Sequence, residues 1–314
     1  MEISERVKYI TRNGGATVTV FVPYDCENHC PFCINKQEYA DTSSFNLEEI
    51  IKSIKIMSVM NPECDFVFTG GEPLADLNTL GKMIYAVHVN VDAGWEPFTH
   101  KVFINTTLPT NKYSEDELAK WLNTMYEAKM ITGINVSRHL RTYVQESSDK
   151  IFKKLKFEPR INCVLYNIHL ADVNIKQKLI DFVNRFRKIT GYIQFRKDYV
   201  VTTPENLYDE ENDGILNLLK DTFDYRGSFG RYRMRVGYEF DYKRYKITYH
   251  KTLPYSKIKL DDNNTYVLYD IIIKQNGEIR DDWDVTLQGD RTTLIKADEL
   301  DLTAYRNVKY EEYV

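Results

Sequence analysis

No apolar run in these 314 residues approaches the length of a membrane-spanning helix. The opening Met1-Glu2-Ile3-Ser4-Glu5-Arg6 lacks the basic-then-apolar order of a secretory leader. No charge sign dominates either: 42 basic residues stand against 46 acidic ones, and a formal net charge of −4 gives no global signal for a polyanionic partner. Internal repeats and low-complexity segments are missing. Cysteine is scarce, with five residues and none after Cys163. An odd count of that size does not make a disulfide framework. These absences lead to the expectation of a cytoplasmic protein whose thiols stay reduced. Apolar residues at 43% and charged ones at 28% are those of a chain able to bury a substantial core.

The few cysteines present are unevenly placed. Cys26, Cys30 and Cys33 fall within eight residues, spaced C-x3-C-x2-C, directly after the alternating run Thr17-Val18-Thr19-Val20-Phe21-Val22, which reads as a strand. A tight loop at a strand end can aim three thiolates at one point. Three is one fewer than a closed four-ligand metal site needs, so such a site keeps a position open. A structural zinc site would need a fourth ligand, and His29 is poorly placed because it adjoins Cys30. A bacterial ferredoxin run would have C-x2-C-x2-C spacing with a fourth cysteine nearby. Cys64 and Cys163, before and within strand candidates, are expected to be core residues.

From Ala16 to about Phe195 short apolar runs alternate with amphipathic stretches. The strand candidates are Ala16–Val22, Asp65–Thr69, Lys101–Thr106, Ile131–Ser137, Arg160–Leu165 and Tyr192–Arg196. The helix candidates are Asn46–Met60, Asn78–Val89, Ser114–Ala128, Gln145–Leu155 and Asp172–Thr190. Ser114 with Glu117 forms a capping-box signature. Six strands alternating with helices imply right-handed crossovers and a parallel sheet with its ligand site at the C-terminal strand ends. The expected fold is a partial (β/α)6 barrel over residues 1–197, closed by a β-rich extension over 198–314. In the extension a helix is expected at Asp213–Phe223, then two hairpins. The first pairs Arg231–Phe240 with Tyr245–His250 around Asp241-Tyr242-Lys243; the second pairs Tyr266–Lys274 with Glu278–Val285 around Asn276-Gly277.

The cysteine loop resembles that of the radical S-adenosylmethionine (SAM) superfamily: C-x3-C-x2-C with aromatic Phe32 before the last cysteine, and Gly70-Gly71-Glu72-Pro73 after the second strand candidate. The resemblance covers roughly residues 16–196. It implies that Cys26, Cys30 and Cys33 hold three irons of a [4Fe–4S] cube, that SAM chelates the fourth, and that an electron from the cluster yields a 5′-deoxyadenosyl radical. It further implies SAM contacts from Phe32, from Gly70, Gly71, Glu72 and Pro73, from Asn105 and Ser137, and from Arg138, whose guanidinium suits a carboxylate. An external electron donor such as a flavodoxin or ferredoxin follows from the same resemblance.

His139 is a candidate substrate contact or a local hydrogen-bonder. Arg231, Arg233 and Arg235 alternate with apolar residues and are expected to share one strand face, either as a solvated surface or as a site for a phosphate- or carboxylate-bearing substrate. Arg280-Asp281-Asp282-Trp283-Asp284 reads as a lid or as a strand end. The absence of later cysteines argues against auxiliary clusters. A small metabolite or nucleotide-like substrate is therefore favoured over a ribosomal or acidic peptide, with a non-catalytic electron-transfer protein as the alternative from another class.

Overall fold

A computed structural model describes residues 8–11, 16–23, 26, 28, 30–33, 43–60, 64–88, 100–141, 146–232, 235–253, 257–259 and 265–281. The repeating unit is a strand followed by a helix packed on one sheet face. After β1 (Lys8–Thr11) and β2 (Thr17–Val22) come α1 (Leu47–Met60), β3 (Asp65–Gly70), α2 (Leu77–His88), β4 (Lys101–Thr106), α3 (Glu115–Glu127) and β5 (Gly133–Ser137). They are followed by β6 (Arg160–Leu165), α4 (Ile175–Phe186) and β7 (Ile193–Lys197). Sequence dictates these starts. Asp76 accepts hydrogen bonds from the Asn78 and Thr79 amides ahead of α2, and Ser114 and Glu117 exchange the bonds of a capping box ahead of α3. On α4, Leu179, Phe182, Val183 and Phe186 recur at helical spacing and are all buried.

The remaining elements are α5 (Pro204–Leu207), α6 (Gly214–Lys220), β8 (Asp224–Tyr232), β9 (Arg235–Tyr242), β10 (Tyr245–Thr252), β11 (Lys257–Lys259), β12 (Thr265–Leu268), β13 (Asp270–Ile273) and β14 (Ile279–Arg280). The large sheet has eleven strands in the order β14-β13-β2-β3-β4-β5-β6-β7-β10-β9-β8, and β1-β12-β11 form a second, small one. Every junction from β13 through β7 to β10 is parallel, with antiparallel pairs only at the two flanks. The large sheet is open, ending at β14 and β8.

Several expectations need correction. The extension does not merely cap the six strands: β10 pairs with β7 and β13 with β2, so it lengthens the parallel sheet on both sides. The expected helix Gln145–Leu155 is a 3-10 turn over Asp149–Lys154 within the described residues, because Ser148 caps the Lys150 amide and starts a short, tight turn. Asp213–Phe223 shortens to Gly214–Lys220, with Asp213 as its cap. Arg231 and Arg235 do not share a strand. Tyr232 at the end of β8 pairs with Arg235 at the start of β9, Arg231 belongs to β8, and Arg233 lies outside the described residues. The β9–β10 turn is Lys243-Arg244, both with positive φ as a two-residue hairpin turn requires.

The expected strand Tyr266–Lys274 splits between the sheets as β12 and β13. Its hairpin with β14 is seated on α1 by Ser53 Oγ, which donates to the Gly277 carbonyl (2.5 Å), and by the Asn46 amide on the Gln275 carbonyl (2.8 Å). Gly277 has φ 88°, and a side chain there would run into Glu49. Val285 lies outside the described residues. So do Asp282 to Asp284, whereas Asp281 is buried, accepting from Tyr9 Oη (3.0 Å) and pairing with Lys257 (2.8 Å). No helix among the described residues is long and apolar enough to cross a membrane.

Candidate active site

One face of the sheet packs on the helices through Val18, Phe66, Ile104, Val136, Ile161 and Phe195, all buried. Strand alternation turns a different set to the other face. There Asn105 Oδ1 accepts from Asn135 Nδ2 (2.8 Å), and register places Asn162 opposite Ser137 and Gln194 opposite Asn162. This second face is lined with polar, half-buried side chains. Its upper rim, at the C-terminal ends of the parallel strands, carries the sequence motifs.

Gly70 ends β3 at φ 115°. A Cβ on it would come within 3.0 Å of the Val22 carbonyl oxygen, so only glycine lets β3 and the end of β2 approach there. Gly71 is half-buried, and Pro73 is buried in the first position of a 3-10 turn. Between them Glu72 is buried and fully engaged. Its carboxylate accepts from the Leu74 amide (3.1 Å), Thr106 Oγ1 (2.5 Å), the Thr107 amide (2.8 Å) and Thr107 Oγ1 (2.8 Å). Burial pushes its pKa up, against the pull of those donors. Glu72 thus ties the end of β3 to the end of β4. Replacing it with glutamine would turn an amide donor toward donors already there. Glu72→Gln is expected to lower stability by about 1–3 kcal/mol, measured by urea unfolding; an unchanged midpoint would contradict this role.

The cysteine loop docks on this rim. Asn28, buried, donates to Thr107 Oγ1 (3.4 Å). Phe32 lies 4.4 Å from the His139 ring and 5.8 Å from the Tyr166 ring, centroid to centroid. The loop following β2 is therefore held against residues following β4, β5 and β6. Cys26, Cys30 and Cys33 are half-buried thiols, with the Cys33 amide on the Cys30 carbonyl (3.1 Å) in a tight turn. Among the described residues no three His, Cys, Asp or Glu side chains are grouped to hold a single metal ion. A cube spreads its thiolates over separate iron corners, and three thiols on one short loop are the donor set it takes. Cys64 and Cys163 are wholly buried core thiols with pKa values pushed up by burial, as expected.

Arg138 is turned inward. Its guanidinium donates to the Thr107 carbonyl (2.7 Å), the Ser137 carbonyl (3.0 Å) and Ser147 Oγ (2.8 Å), and it lies 4.0 Å from the Glu146 carboxylate. His139 is buried with Nδ1 accepting from the Val164 amide (3.2 Å); burial, then the charges of Arg138 and His169, lower its pKa to about 3. It is a neutral ring on which Phe32 rests. Sequence reasoning missed Asn28 and Tyr166, and from the stretch Asn105-Thr106-Thr107 it chose Asn105 rather than Thr107. Thr107 and Tyr166 directly follow strand ends, the position that had singled out Asn105 and Ser137.

Residues 12–133 match the family of the 4Fe-4S single cluster domain, a span that includes all three clustered cysteines and the Gly70–Pro73 turn. That stretch is similar to an iron–sulfur domain. Among curated proteins nothing matches. Of solved structures, native anSMEcpe with bound AdoMet is similar at 19% identity and a TM-score of 0.43, over 63% of this chain and 54% of that one. BtrN in complex with AdoMet and 2-DOIA is similar at 12% identity and a TM-score of 0.34, over 69% and 87%. This chain spans about half the length of the anSMEcpe chains it matches. Likenesses this weak do not by themselves assign a fold.

Proposed function

We propose that this protein is a radical SAM enzyme acting on a small metabolite or nucleotide-like substrate, with its open sheet serving as a partial (β/α)6 barrel. The observation that carries the reading is the docking of the cysteine loop, through Asn28 and Phe32, beside the Glu72–Thr107 tie at the C-terminal strand ends. When bound, the reduced cluster supplies the electron that splits SAM into methionine and a 5′-deoxyadenosyl radical.

The chain's own residues then have separable tasks. Cys26, Cys30 and Cys33 hold iron. Gly70 and Gly71 give close access to main-chain groups, and Phe32 closes the loop over the rim. Asn105 and Ser137, on the polar face, offer hydrogen bonds to the nucleoside. Arg138 is a positioning residue in this reading, because its donors are directed to the carbonyls and hydroxyl of neighbouring loops. A flavodoxin or ferredoxin would deliver the electron.

The test is anaerobic purification with iron and sulfide analysis, then reduction in the presence of SAM with chromatographic detection of 5′-deoxyadenosine. A cluster whose spectrum ignores SAM and yields no 5′-deoxyadenosine would make the protein an electron carrier instead.

A further inference from the structure

The polar face of the sheet carries one row of side chains that the fold leaves unused. Ser137, Asn162, Gln194 and Thr248 are direct cross-strand neighbours on β5, β6, β7 and β10. All four are half-buried, and strand alternation turns them to the same side. None of them makes a side-chain hydrogen bond among the described residues. Asn162 Oδ1 is even covered without a donor. Two residues before Ser137 the contrast is plain: the Asn135 amide donates to Asn105 Oδ1 at 2.8 Å. Half-buried polar groups without partners work against folding. These side chains are therefore not there to hold the sheet together.

The row itself is uncharged, and the charged residues around it are occupied. Glu239, opposite Thr248 on β9, pairs with Lys246 (3.0 Å), and Asp241 pairs with Arg226 (2.7 Å). Arg160 lies over Phe103 (5.9 Å) and Arg196 over Tyr199 (5.0 Å). Asp198 lies beyond the end of β7, and Arg235 starts β9. His250, two residues past Thr248, is kept neutral by burial and by the charges of Arg196, Arg235 and Arg160, with a pKa of about 3. At the far end of the row Phe229 of β8 is exposed. Its ring folds over Gly237, where a Cβ would come within 2.5 Å of it, and meets His250 edge-on at 5.5 Å. Gly237 alternates with Glu239, so that ring lies on the same face as the row. The negative face of an aromatic ring suits the C–H bonds of a saturated one.

We propose that Asn162, Gln194 and Thr248 recognise the hydroxyl groups of a neutral, sugar-like ring on the substrate, an inference that rests on the enzyme reading above. Amides and hydroxyls both donate and accept, as sugar hydroxyls do. An apolar ring would leave them unmet, and an anion would find no cation within the row. Three neighbouring strands span about 10 Å, the reach of one substituted ring. Ser137, at the near end, stays with the nucleoside of SAM, which sets the substrate ring beside it. A free sugar and the ribose of a nucleoside share this chemistry.

Saturation-transfer NMR of the anaerobically reconstituted, oxidised protein, with SAM present and no reductant, tests this with D-glucose, uridine and cyclohexanol as probes. Saturable binding of D-glucose or uridine is expected, and the tighter of the two tells a free sugar from a nucleoside. Cyclohexanol, with its single hydroxyl, should not bind. Asn162→Leu and Gln194→Met should each weaken binding about tenfold, and Thr248→Val severalfold. Gln177→Met, at an exposed position of α4 bonded to Asp181, should leave it unchanged. Urea unfolding adds a readout that needs no ligand: each of the three row variants should unfold at an unchanged or higher midpoint, because the fold makes no use of the groups removed. Absent binding of both sugars, cyclohexanol binding equally well, or a lowered midpoint in the row variants would overturn the proposal. A protein that binds the probes but makes no 5′-deoxyadenosine would refute the enzyme reading and leave this site standing. One that makes 5′-deoxyadenosine and binds neither sugar would refute this site alone.

Discussion

Replacing Cys30 with alanine is expected to abolish 5′-deoxyadenosine formation and to remove most bound iron and sulfide. Cys30 is the middle of three thiols on one loop, and its carbonyl accepts the Cys33 amide in the turn that brings the last two together. Two remaining thiolates cannot hold three corners of a cube, and no other thiol can move in, since Cys64 and Cys163 are buried in the core. The control is Cys163→Ala, which leaves the loop intact and should keep a full complement of about four irons per chain. Iron and sulfide assays with electron paramagnetic resonance of the reduced protein read the result. Retention of iron in Cys30→Ala, or its loss in Cys163→Ala, would show that the wrong thiols had been assigned.

That assignment was legible in the sequence because it is local: spacing, an aromatic neighbour and a preceding strand lie within a few residues. The strands were legible for the same reason. Lys101–Thr106 and Arg160–Leu165 alternate cleanly and form over the expected residues. What stayed hidden depends on distant partners. Nothing in Asp270–Ile273 tells it to run parallel to Thr17–Val22 rather than remain within its own hairpin; that choice is made by α1, which receives Gly277 and Gln275. Arg138 carried a polar signal at a strand end, but direction is not written in a residue type. Its guanidinium turns inward because carbonyls of Thr107 and Ser137, with Ser147, converge on it. Gln194 was read only as the middle of a strand until β10 took its place beside β7.

The same joining of distant strands creates the largest stability prediction. Asp213, the cap of α6, is buried between Lys251 of β10 (3.0 Å) and Lys197 of β7 (3.3 Å), and its other oxygen accepts the Ile215 and Leu216 amides (3.1 Å each). Tyr249 Oη donates to it as well, at 3.4 Å. Burial alone would raise the carboxyl's pKa; the two ammonium groups and the amides outweigh it and hold it below its ordinary value. A group so lowered contributes stability above the unfolded value of about 3.9, and that contribution is lost as pH falls through the folded one. At neutral pH the carboxylate is therefore fully engaged. Asp213→Asn would leave two lysines, one of them wholly buried, without their counter-charge. Removing one partner of such a buried group costs about 3–5 kcal/mol, here through the seam where the extension meets the six-stranded core. Urea unfolding at pH 7 measures it. The double variant Asp213→Asn, Lys251→Met should recover part of the loss, because one stranded charge is gone. A cost below about 1 kcal/mol, the range of exposed pairs, would mean that water reaches these lysines and that the seam is not held by this carboxylate.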